Sequence, residues 1–196
     1  MNDQASPLVN DDQSRAPLIF VLSGPSGTGK GTIVDALVAA DPSLWLSRSW
    51  TTRARRKNES PYAYRFVDRE TFLAHVDADG FVEYAEVFGN LYGTPLPTPP
   101  AGSDVVFEID VQGAQQVRTR FADAVLIFVE PPNREAQEAR LRARGDDEEV
   151  IARRIAKADA EEEIGHQIAD YVVVNDWLER AVAEVAGIVV GCRQRH

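Results

Sequence analysis

Cysteine is nearly absent: the chain has one, Cys192, so no internal disulfide can form and a cross-linked scaffold is excluded. Lysine is almost as scarce, with only Lys30, Lys57 and Lys157, and the formal net charge is −10. That balance excludes general nucleic-acid binding, which is built from many phosphate contacts on a basic face. No apolar run approaches the roughly 20 residues of a membrane-spanning helix. The polar start MNDQASPLVNDDQSRA also lacks the basic-then-apolar order of a secretory leader. The expectation is a cytosolic protein with a flexible acidic tail over residues 1–16, binding neither nucleic acid nor membrane.

What is present suffices for a core. At 196 residues and 44% hydrophobic composition, a single domain over 17–196 can bury one without metal or disulfide staples. Leu18 to Leu22 is a short apolar run ending in Ser23-Gly24-Pro25, after which Ile33, Val34, Leu37 and Val38 recur at helical spacing until Asp41-Pro42. This predicts strand, glycine loop, helix. Val105 to Phe107, Val125 to Val129 and Tyr171 to Val174 are continuous apolar runs, the pattern of strands covered on both faces. Helix-period stretches from Ala114 to Phe121, Arg134 to Arg144, Glu148 to Glu163 and Trp177 to Cys192 alternate with them. The expected fold class is therefore α/β, a parallel sheet flanked by helices, with a core over 17–46 and 103–196. The region of about 47–102 breaks the alternation. Tyr62, Tyr64 and Phe66 alternate, Phe81 to Phe88 reads as strand, Gly89-Asn90 signals a turn, and Pro95 to Pro100 is a stiff loop. A small mixed α/β insert is predicted there.

Gly24-Pro25-Ser26-Gly27-Thr28-Gly29-Lys30 matches the G-x-x-x-x-G-K of a P-loop, between a strand and a helix as the chemistry needs. Its glycines let backbone N–H groups converge on phosphate oxygens, the helix start adds partial positive charge, and Lys30 reaches the β- and γ-phosphates. The next residue is Gly31, where a Ser or Thr ordinarily ligates Mg²⁺, and Thr32 comes one position late. Mg²⁺ is therefore expected to be held by ATP phosphates and water, with acidic help from Glu108 or Asp110. A guanine-reading N-K-x-D motif is absent, since no lysine follows an asparagine, so a signalling GTPase is excluded.

The arginines cluster at 53, 55 and 56 and again at 140, 142, 144, 153 and 154. Their planar forks suit phosphate, although Arg142 and Arg153 by themselves read as solvated helix-face cations. Ser49-Trp50-Thr51-Thr52-Arg53-Ala54-Arg55-Arg56 is followed by Tyr64-Arg65-Phe66-Val67 and by Phe81-Val82-Glu83-Tyr84-Ala85-Glu86-Val87-Phe88-Gly89-Asn90-Leu91-Tyr92-Gly93-Thr94. With Ile109-Asp110-Val111-Gln112-Gly113-Ala114, Arg140 to Gly145 and Val174-Asn175-Asp176, this order resembles the guanylate kinase family over nearly everything from Leu18 onward.

The resemblance implies that ATP donates to GMP, with dGMP a second acceptor, in purine nucleotide metabolism and with Mg²⁺ as cofactor. It implies ATP binding along Gly24 to Thr32, with Asn175 at the adenine. It implies that Arg53, Arg56, Tyr64 and Tyr92 hold the GMP phosphate while Ser49, Glu83, Thr94 and Asp110 face the guanine. A lid over about 140–158 would bring Arg140, Arg144 and Arg154 to the transferring group alongside Lys30. Chemistry agrees on the base: guanine presents a ring N–H and an exocyclic amine, which the acceptor-only carboxylate of Glu83 can pair. Against the family pattern, Arg53-Ala54-Arg55-Arg56 replaces Arg-x-Pro-Arg, Asn58-Glu59 replaces Gly-Glu, and one residue is missing before Tyr64. The segment 95–102 is short and proline-rich, and Glu108 stands where Asp is commoner. Two rivals remain open: a P-loop kinase for another phosphorylated acceptor such as a sugar phosphate, disfavoured by Glu83 and Ser49, and a non-catalytic module binding a phosphorylated partner, disfavoured by the intact Lys30 and its glycines.

Overall fold

A computed structural model describes residues 15–57 and 59–196. The tail expected over 1–16 and Asn58 of the altered turn thus lie almost wholly outside the described residues. In chain order the elements are β1 (Ile19–Ser23), α1 (Lys30–Ala40), β2 (Leu44–Leu46), β3 (Trp50–Thr51), β4 (Arg65–Phe66), α2 (Arg69–Asp77), β5 (Phe81–Val87), β6 (Asn90–Pro95) and β7 (Asp104–Glu108), then α3 (Val111–Arg120), β8 (Val125–Glu130), α4 (Arg134–Ala143), α5 (Glu148–Ile168), β9 (Tyr171–Val174) and α6 (Leu178–Arg193).

The continuous apolar runs form one sheet in the order β2-β7-β1-β8-β9, and every pair in it is parallel. Alternate side chains of β1 enter opposite layers. Phe20 and Leu22 join Ile33, Val34 and Leu37 of α1 and Ala181, Val185 and Val189 of α6. Val21 joins Phe107, Leu126 and the α3 residues Ala114 and Val117 on the other face. Burial on both faces explains why these strands read as unbroken hydrophobic runs. Residues 50–95 build a second, mixed sheet in the order β4-β3-β6-β5, with its own small core of Trp50, Phe72, Phe81 and Leu91.

Two helices are longer than their periodicity predicts. α3 starts at Val111 rather than Ala114 because the Asp110 side chain caps it, accepting the Gly113 N–H at 2.9 Å. α5 continues past Glu163 to Ile168 because Gly165 packs its backbone against Phe128, where an added Cβ would lie 2.2 Å from the ring. The alternation of Tyr62, Tyr64 and Phe66 yields only the two-residue β4, because a turn in which Ala63 N–H donates to the Ser60 carbonyl (3.1 Å) precedes it. Among the described residues, no helix is long and apolar enough to cross a membrane.

Because all five core strands run the same way, their carboxyl ends deliver the phosphate loop after Ser23, Glu108 at the end of β7 and Asp110 just beyond it, and Asn175 after β9 to one side. That edge is where parallel α/β sheets hold ligands.

Candidate active site

The loop from Gly24 to Lys30 turns tightly. Gly24 (φ 143) passes so close to β8 that a Cβ would lie 2.1 Å from the Val129 carbonyl oxygen, and Gly29 (φ 89) is the N-cap of α1. Side chains from elsewhere occupy the loop's carbonyls: Gln137 Nε2 donates to Ser26 O (2.7 Å), while Asn175 Nδ2 (2.7 Å) and Arg140 (3.2 Å) donate to Thr28 O. Arg140 also donates to Asn175 O at 2.7 Å. Arg154 reaches the Ser26 hydroxyl at 2.9 Å, and Thr28 Oγ1 donates to Pro25 O at 3.1 Å. With its carbonyls so engaged, the loop offers an anion the orphan N–H groups at the start of α1. Lys30 Nζ folds onto the Gly24 and Pro25 carbonyls at 2.6 and 2.9 Å.

Across the cleft, β3, β6 and the segment after β3 present the second anion site. Arg53 Nε donates to Tyr92 Oη at 3.2 Å, and Tyr64 and Tyr92 meet edge to face with centroids 6.0 Å apart. Arg53 is fixed by a two-point contact with Glu59 (2.7 and 3.0 Å), whose carboxylate also accepts the Arg56 N–H at 3.0 Å. Arginine forks and tyrosine hydroxyls converging in this way suit a phosphate monoester. Deeper in, Glu83 is 6% exposed and takes the Thr94 hydroxyl at 2.5 Å, with Ser49 Oγ 3.4 Å from Thr94 Oγ1. Burial pushes the Glu83 carboxyl up to about 7, the Thr94 hydrogen bond opposes this, and neighbouring Asp110 adds to it.

Around the two anion sites burial works against several charged groups. Burial holds the Lys30 ammonium below its usual pKa, and Arg144 pushes the same way against Glu108, Glu161 and Asp110. Burial likewise lowers Arg56, again with Arg144 and also Arg53 contributing. Arg144, exposed at the end of α4, thus acts electrostatically on the phosphate-loop lysine and on Arg56. The Glu108 carboxyl is pushed up by burial despite Lys30. Its oxygens lie 3.3 and 3.4 Å from where a Cβ on Gly31 would stand, so this carboxylate fills the neighbourhood that a Ser or Thr side chain would otherwise take.

A family model for guanylate kinase matches residues 16–190. The chain belongs to the guanylate kinase family. It is 47% identical over 184 residues to a guanylate kinase of Chromobacterium violaceum, covering 90% of this chain and 87% of that one. The figures for a guanylate kinase of Neisseria gonorrhoeae are 46% over 181 residues, 89% and 88%. The crystal structure of guanylate kinase from Anaplasma phagocytophilum superposes with a TM-score of 0.73 at 32% identity, covering 89% of this chain and 85% of that one.

Within this chain, the residues singled out in the sequence divide into those facing the cleft and those bracing it. Arg140 and Asn175 spend their visible hydrogen bonds on the phosphate loop and on each other. Thr32 is exposed on the first turn of α1. Arg142 pairs with Glu138 and Glu148 on an exposed helix face, as expected of a solvated helix-face cation. Sequence reasoning missed Glu59, Gln137 and Lys157. Gln137 is fully buried four residues before buried Leu141 on the apolar stripe of α4, and a polar residue on such a stripe was the available signal. Lys157 Nζ lies 2.7 Å from Glu161 and 3.5 Å from Asp110, joining α5 to the cap of α3. Nothing in the linear order marks that meeting.

Proposed function

We propose that this chain transfers the γ-phosphoryl group of ATP to GMP, giving ADP and GDP, with dGMP as a second acceptor. The observation that supports it best is a phosphate loop carrying Lys30 on one side of the cleft and, on the other, the Arg53–Tyr92 pair beside the buried Glu83–Thr94 pair. In this reading the loop from Gly24 to Thr32 holds the ATP phosphates, with Asn175 near the adenine. Arg53, Arg56, Tyr64 and Tyr92 hold the GMP phosphate, and Ser49, Glu83, Thr94 and Asp110 surround the base. The core comprises 17–46 and 103–196, the GMP-binding insert about 47–102, and the lid about 140–158.

The GMP phosphate oxygen attacks the γ-phosphorus in line, and no covalent enzyme intermediate is needed. Lys30, Arg144 and Arg154 face charge that grows on the transferring group. Lys30 and Arg154 are already held on the phosphate loop, on the Gly24 and Pro25 carbonyls and on the Ser26 hydroxyl, so they need little reorganisation at that moment. Arg140 acts by holding the loop and the Asn175 turn. Closure of lid and insert excludes water, which favours transfer over hydrolysis. The residues at Gly31 fit Mg²⁺: the oxygen-rich neighbourhood of Glu108, with Asp110 nearby, suits a hard cation that keeps several waters. When bound, Mg²⁺ would neutralise phosphate charge. A coupled ADP-release assay over GMP, dGMP, AMP, CMP, UMP and a sugar phosphate tests the proposal. Turnover confined to GMP and dGMP is expected, and equal turnover on AMP or on the sugar phosphate would overturn it.

A further inference from the structure

Glu83 lies on β5, while the surface that confines its carboxylate belongs to a different element. One carboxylate oxygen is held by the Thr94 hydroxyl of β6 at 2.5 Å. The other lies against the first turn of α3. A Cβ on Gly113 would stand 2.9 Å from Glu83 Oε2, closer than real Cβ contacts come, and 3.0 Å from Cδ. Gly113 is not in a left-handed turn. It is the third residue of α3, with its N–H on the Asp110 cap, a helical position where alanine is the better residue by propensity. Its backbone conformation does not call for glycine, and the nearest atoms to an added methyl belong to the carboxylate. Ile109 Cβ follows at 3.3 Å.

We infer that Gly113 is a positioning residue for base selectivity: its missing side chain is the slot that lets the Glu83 carboxylate seat between Thr94 and α3, aimed at the Watson–Crick edge of a guanine. This rests on Glu83 reading the base. A methyl at 113 moves the carboxylate off α3, and any such shift lengthens either the 2.5 Å bond to Thr94 or the pair of contacts with the ring N–H and exocyclic amine. Selectivity is therefore set partly by an α3 residue that touches no substrate.

The test is steady-state kinetics with GMP, IMP and AMP, together with thermal melts, on wild type, G113A, E83Q and the double variant. IMP keeps the ring N–H and lacks the amine, so it reports how far the carboxylate has moved. G113A is expected to lower kcat/KM for GMP at least about tenfold, as for loss of a hydrogen bond to a charged group. The GMP to IMP ratio should shrink, the KM for ATP should stay put, and Tm should be unchanged or raised. In the E83Q background the same substitution should cost much less, since its effect acts through the carboxylate. An unchanged GMP to IMP ratio, an undiminished penalty in E83Q, or a lowered Tm with parallel loss for ATP would overturn the inference. If G113A does not fold, G113A/E83A removes the clashing group. Recovery of the fold supports the slot, and persistent unfolding refutes it. Full GMP preference in E83Q would instead show that the base is read elsewhere, which fails the underlying assignment and the inference with it.

Discussion

The two ends of the parallel sheet treat charge in opposite ways. At the amino end, Asp104 is 1% exposed, yet it accepts the Leu18 N–H at 2.9 Å and is gripped by Arg15 and Arg193. Arg193 also reaches Asp41 (2.6 Å) and Ser43 (2.8 Å), tying α6 to the start of β2 and β7. Burial alone would raise the Asp104 carboxyl, but hydrogen bonds from Arg15, Arg193 and Leu18 win and hold it below its ordinary value. At the carboxyl end, burial wins at four groups. Lys30 and Arg56 are depressed with Arg144 beside them, and Glu83 and Glu108 are raised. A cluster whose charges are matched by close hydrogen bonds contributes to stability, whereas groups that burial pushes toward their neutral form mark a place poised for a ligand.

The sharpest way to break this contrast is at the phosphate loop. Lys30→Ala should lower turnover by about 10³ while changing GMP affinity little, because the acceptor site is built on other elements. Calorimetry showing GMP binding lost in step with activity would sink that assignment. Next in size, Arg144→Ala should reduce the maximal rate by about 10² with both KM values nearly kept, since the charge it meets develops during transfer. An unaltered maximal rate would remove it from the catalytic group.

Glu83→Gln should lower kcat/KM for GMP by about 10² and erode its preference over AMP, whereas Arg56→Ala should weaken both monophosphates alike. The pH dependence sharpens the point. With its carboxyl near 7, Glu83 must be ionised to pair guanine, so kcat/KM for GMP should rise with pH and level off above about 7. The GMP phosphate itself titrates near 6, and that lower bend should persist in Glu83→Gln while the upper one disappears. For stability the signs at the two ends oppose. Because the Glu83 carboxyl is raised in the fold from 4.5, its contribution is fully present below that value and lost as pH rises through about 7. The Asp104 carboxyl is depressed, so its contribution is present above 3.8 and lost as acid titrates the folded state.

Asp104→Ala should therefore cost about 2 kcal/mol of stability, less than a fully buried pair because Arg15 and Arg193 are partly exposed. The corresponding fall in Tm is about 4–8 °C. Activity at low temperature should be retained. Lost activity in a folded variant would mean that the two ends are not independent. The smallest effect is expected from Thr32→Ala. If Glu108 and water serve the metal, turnover should fall only a few-fold at saturating Mg²⁺, and a collapse matching Lys30→Ala would identify Thr32 as a direct ligand.

Much of this molecule was determined locally. The continuous runs at Leu18 to Leu22, Val105 to Phe107, Val125 to Val129 and Tyr171 to Val174 announced strands buried on both faces, because unbroken hydrophobicity has no other stable place in an α/β sheet. The phosphate loop was equally legible, since cradling phosphate demands glycines and a lysine at fixed spacing before a helix. Local signals failed where an element's extent depends on what it packs against: α5 outlasts its acidic run because Gly165 lies on Phe128, and α3 begins three residues early on the Asp110 cap. The residues proposed for the acceptor site could be named only through family resemblance, because Glu83 in isolation is an ordinary strand acid. Tertiary structure alone decided that Glu83 is buried against Thr94 and Gly113, that Glu59 pins Arg53, and that Gln137 braces Ser26 across 111 positions. The physical reason is that a side chain's pKa and hydrogen bonds are set by whatever desolvates and faces it, and in a parallel sheet with an insert those neighbours come from distant segments.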